Sequence, residues 1–107
     1  MNCILINPWT KCVDDAVFDP EDVATLQRAL TSFGHAVTNI AVRASFPNTD
    51  NLIIEHPNQL SEADPLPVFK LGSVHVQGCG VILGTDGDKW VEPKFMKVQI
   101  QDWIRFS

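Results

Sequence analysis

The sequence predicts an α+β domain: a mainly antiparallel sheet of five to six short strands, one four-turn helix over about 20–33 packed on it, and a short C-terminal helix. Three observations predict it. Val81, Ile82 and Leu83 form an apolar run between Gly80 and Gly84, with no polar face, and so belong in mid-sheet with both sides covered. Val23, Leu26, Leu30 and Phe33 recur at helical spacing with Ala29 beside them, which makes one apolar stripe. The third is punctuation. Asn7-Pro8, Ser45-Phe46-Pro47-Asn48 and Asp86-Gly87 cut the other apolar runs to strand length.

Taken in order, residues 3–6 are a first strand ended by Asn7-Pro8, and 12–18 pair with it in a hairpin around Trp9 and Thr10. Asp19 suits an N-cap and Pro20 the first helical position. Glu21 and Asp22 favour the positive end of the helix dipole, and Gly34 suits a left-handed C-terminal residue. Residues 36–42 and 52–55 read as strands. The proline-bearing stretch 56–67 reads as an irregular loop, of a length that is often functional or disordered. Val68 and Phe69 add a brief strand before Gly72, and 74–77 form one leading into the kink at Gly78-Cys79-Gly80. Asp86-Gly87 is a hairpin turn, and Trp90-Val91 carry the chain away. Met96, Val98 and Ile100 alternate as in a strand, but Met96, Ile100, Trp103 and Ile104 fit a helical face better.

A chain of 107 residues with 45% hydrophobic and 20% charged residues makes a single domain, 1–107, with one core. Its net charge is −5, thirteen acidic residues against eight basic ones, and the basic ones are scattered. That counts against direct nucleic-acid binding and against an anionic membrane, and leaves a basic protein surface as the charge-matched partner. Three cysteines, no Cys-x-x-Cys pair and no signal-peptide pattern point to a cytoplasmic protein with reduced thiols. No apolar run approaches the ~20 residues of a membrane span.

Few motifs carry chemistry. Gly78, Gly80 and Gly84 lack the spacing and the following helix of a dinucleotide fingerprint, and no Gly-Lys-Ser/Thr follows. Asp86 and Asp88 lack the distant glutamate of a calcium loop. His35, His56 and His75 lie too far apart for a zinc motif. Cys79 sits between glycines with His75 four residues earlier, but in a strand the two stand ~13 Å apart, and a small buried cysteine is the better reading. Glu62 and Asp64, like the acids near the helix start, have no partner for acid–base work. No catalytic residue, metal or cofactor is expected.

The acidic run is the strongest surface signal. Asp14, Asp15, Asp19, Glu21 and Asp22 fall within nine residues with no basic residue among them, and capping explains three of the five. Trp9, in a turn, and Trp90, after one, are also suited to contact a partner.

The chain resembles an uncharacterised family of small domains common in bacteriophages and mobile elements. The resemblance lies in Ile4-Leu5-Ile6-Asn7-Pro8, in the Asp19-Pro20 helix with Leu26 and Leu30, in the run from Gly78-Cys79-Gly80 to Gly84-Thr85-Asp86, and in Ile100, Ile104 and Phe106. It implies a setting, a small accessory protein made inside an infected or lysogenic bacterium, and it implies no activity for any residue.

Two functions follow as expectations. The first is a protein-binding module or inhibitor that occupies a host protein engaged in defence or nucleic-acid handling, through Asp14, Asp15, Glu21, Asp22, Trp9 and Trp90. The alternative is nucleotide binding or sequestration, with the 78–84 kink as one wall and Trp9 or Trp90 stacking on a base. Its phosphate donors would be Arg43, Lys70, Lys89 and Lys94, and a homo-oligomer interface stays open for it. An enzyme ranks third.

Overall fold

The computed structural model describes residues 1–17, 19, 40–55 and 67–106, with the backbone alone at 40, 41 and 55. The helix expected over 20–33 and all but Pro67 of the loop expected over 56–67 lie outside them.

Nine strands are described. Asn2–Asn7 (β1) and Cys12–Val17 (β2) form the expected N-terminal hairpin. Asn7 is buried, and its side-chain oxygen accepts the Trp9 and Thr10 amides at 3.0 and 3.4 Å, so the turn is written in that one side chain. Ile40–Ser45 (β3) and Asp50–Glu55 (β4) form a second hairpin. Val68–Leu71 (β5) and Val74–Gln77 (β6) form a third, turning on Gly72 at φ +62°. Gly80–Asp86 (β7) and Lys89–Val91 (β8) form a fourth. Its two turn residues are Gly87 and Asp88, and Gly87 at φ +61° meets the demand for a positive φ at the first of them. One helix, Lys97–Trp103 (α1), leads into Ile104–Phe106 (β9).

The strands make two antiparallel sheets. The larger runs β2-β1-β7-β4-β3, with β8 also on β7, and the smaller runs β6-β5-β9. Strand β7 is the hub, pairing β1, β4 and β8. Val81, Ile82 and Leu83 are all fully buried, as an apolar run without a polar face requires. Parity divides them. Ile82 joins Ile4, Ile6, Leu52 and Ile54 on the face that meets Phe69, Leu71 and Val76 of the smaller sheet and Ile100 of α1. Val81 and Leu83 join Cys3, Ile53 and Cys79 on the other face.

The expected architecture is corrected here. In place of one sheet of five to six strands there are two, and among the described residues there is one helix, not two. Short runs such as β5 and β9 carry no local sign of which neighbour they pair with, so sheets cannot be counted from them. Of the strand expected at 36–42, residues 36–39 lie outside the described residues, and the described strand Ile40–Ser45 runs beyond 42, because pairing with β4 carries it on to Ser45↔Asn51 past a bulge near Arg43. The C-terminal helix is present but stops at Trp103, where Ile104 turns extended and its strand pairs with β5.

Candidate protein-binding surface

The site residues expected from sequence do not form one patch. Asp14 and Asp15 are both exposed on β2, an edge strand of the larger sheet. Consecutive strand residues point to opposite faces, and the ladder shows which. Asp15 lies opposite Ile4 on the side of the smaller sheet, and Asp14 lies opposite Leu5 on the other. Trp9 is 37% exposed in the β1–β2 turn. Trp90 is half-buried against the Cys3–Val81 cluster, so it closes core. Glu21 and Asp22 lie outside the described residues.

The glycine stretch is packed inside. A Cβ on Gly80 would stand 2.9 Å from both Leu52 and Phe69, and one on Gly84 would stand 2.7 Å from the Glu92 carbonyl. Gly78, at φ +86°, bends the chain between β6 in one sheet and β7 in the other. His75, exposed on β6, is thereby placed in a different sheet from the strand that follows Cys79. Burial pushes the Cys79 thiol up to about 12. Burial also pushes Cys3 up to about 11, opposed by the N-terminal ammonium and reinforced by Asp15. Neither sulfur is a thiolate at neutral pH, which is what a nucleophile would require. Cys12 is exposed, and its thiol donates to the Thr10 carbonyl at 3.3 Å. Among the described residues no three His, Cys, Asp or Glu side chains gather as a metal set.

Sequence reasoning missed a polar latch. The Asp50 carboxylate, 0% exposed, accepts the Lys94 amide at 2.9 Å and the Phe95 amide at 2.8 Å. It thus pins the strap 92–96, which crosses Gly84, to the start of β4. Asn48 supports it twice, accepting the Asp50 amide at 3.0 Å and donating to its carboxylate at 3.3 Å. Thr49 sits at φ +72°, a strained angle for a β-branched residue. Its carbonyl accepts from Asn51 Nδ2 at 3.2 Å and from the amide and hydroxyl of Thr85, both at 3.0 Å. Lys94 Nζ donates to the Thr49 hydroxyl at 3.0 Å. The one sequence signal was Asn48-Thr49-Asp50, a cluster of turn formers between strands.

Beyond the latch, Phe95 packs edge-on against Phe46 at 5.4 Å between ring centres, and Phe46 likewise against Trp103 at 5.5 Å. The strap then forms one wall of a groove of about 410 Å³, whose other wall is Asn2, Cys3, Ile4 and Asp15. A second groove of about 380 Å³ lies between β2 and β9, lined by Lys11, Asp14, Gln101 and Phe106 among others. No described helix is long and apolar enough to cross a membrane.

Comparison of the chain with protein-family models, with curated proteins and with solved structures finds no match in any of the three.

Proposed function

We propose that this chain is a small acidic protein-binding module, an accessory protein that occupies a host protein with a basic surface. One observation carries the reading. Asp14 and Asp15 stand exposed on an edge strand, one to each side of the sheet, in a chain of net charge −5. Exposed Trp9, at the head of the same hairpin, adds an aromatic contact of the kind that anchors interfaces. The phage or mobile-element setting is proposed on the resemblance, the cytoplasm on the cysteine usage as well, and the inhibitory role on the acid excess and the want of a catalytic constellation in the sequence.

The test is affinity capture from bacterial lysate at low salt with the wild-type chain and with Asp14→Lys/Asp15→Lys. The reading expects one stoichiometric partner that is released as salt rises and is lost by the charge-reversed chain. Capture of no stoichiometric partner, or capture indifferent to the reversal, contradicts it.

A further inference from the structure

We infer that the groove between β1–β2 and the strap is the docking site, and that its occupant is a partner segment carrying one basic side chain between apolar ones. The inference rests on the protein-binding reading and gives it a place.

Exposed apolar side chains gather there. Met96 and Val98, 65% and 52% exposed, line the groove from the strap and α1. Val17, 74% exposed, lies opposite the groove residue Asn2 in the β1–β2 ladder, and exposed Met1 adjoins Asn2. Four of the seven large hydrophobic side chains exposed among the described residues thus belong to this one region. Grouped exposure beside a concave site is the mark of an interface, whereas scattered exposure is ordinary.

Charge then selects the occupant. Asp15 and Glu92, both exposed, line the groove with one ammonium, that of Lys97. That excess of one carboxylate disfavours a polybasic segment. It fits a single arginine or lysine directed at Asp15 or Glu92, with apolar neighbours resting on Ile4, Phe95, Met96 and Val98. The latch at Asp50 holds the strap, so this wall is in place before anything binds.

The experiment is amide chemical-shift mapping with a short synthetic Leu-Arg-Leu peptide, beside versions with Glu for Arg and Ser for Leu. The parent peptide is expected to shift residues 2–4, 15 and 92–98. The two altered peptides, and the variants Asp15→Lys, Met96→Glu and Val98→Glu, are expected to bind roughly fivefold more weakly or worse. Asp88→Lys, in the remote β7–β8 turn, is expected to bind normally. Absence of shifts at millimolar peptide, shifts elsewhere, or equal binding of the Glu peptide overturns the assignment. The two readings fail separately. If lysate capture succeeds and survives Met96→Glu and Val98→Glu, the groove is wrong and the module stands; if capture finds no partner, the module itself fails.

Discussion

Asp50 is the buried carboxylate that holds the strap 92–96 to the sheet. Replacing it with alanine leaves the Lys94 and Phe95 amides without their acceptor, and hydrogen bonds to a charged group contribute ~1.5–3 kcal/mol each. Asp50→Ala is expected to lower unfolding free energy by about 3 kcal/mol in urea titration and to speed exchange of those two amides. Next to it, Thr49→Asn is expected to stabilise by up to about 1 kcal/mol, since asparagine tolerates the left-handed region that threonine resists. The denaturant midpoint reads the sign. The thiols make a third case. A native-state thiol reagent at neutral pH is expected to label Cys12 quickly and Cys3 and Cys79 only on unfolding. The pH dependence has a definite sign. Both buried thiols have folded-state pKa values raised above the ordinary 9.0, so the unfolded chain releases its protons first as pH rises. Their contribution to stability is whole below about pH 9 and is lost on the way to about 11 for Cys3 and about 12 for Cys79. Thermal unfolding across that range should fall less steeply for Cys3→Ala/Cys79→Ala.

Among the elements, β7 and its glycines show how much could be read in advance. Val81, Ile82 and Leu83 announced a central strand because no polar side chain offered a solvent face, and that held. Asn7-Pro8 and Asp86-Gly87 announced hairpins because those residues suit turn geometry, and both hairpins are present, the second with its turn one residue on, at Gly87 and Asp88. The kink at 78–80 was visible, but its consequence, a change of sheet, was not, because the β5–β6 hairpin becomes a second sheet by gaining β9 through pairings such as Leu71↔Ile104, thirty-three residues apart (104 minus 71). The groove was illegible for the same reason, as Asp15 and Glu92 meet only in space. The six expected contact residues illustrate the limit of a run of acids: two neighbours in a strand cannot share a face. Gly84 gives a test at this scale. Gly84→Ala drives a methyl against the Glu92 backbone carbonyl at 2.7 Å and is expected to cost about 2 kcal/mol, with the strap displaced. Comparison of its amide spectrum with that of Asp50→Ala checks that both loosen 92–96.

At the scale of the whole molecule, two sheets close on one apolar layer, and the other face of the larger sheet is buried too. Among the described residues that glycine-flanked centre is sealed on both faces, which leaves the surface for the proposed partner contact. That claim is tested most directly by native-state hydrogen exchange at the amides of Val81, Ile82 and Leu83. The account predicts exchange only through global unfolding, with the full unfolding free energy, while amides of edge strand β3 open at lower cost. Exchange of the three through a cheap local opening, at rates like those of β3, would show an accessible centre and contradict it.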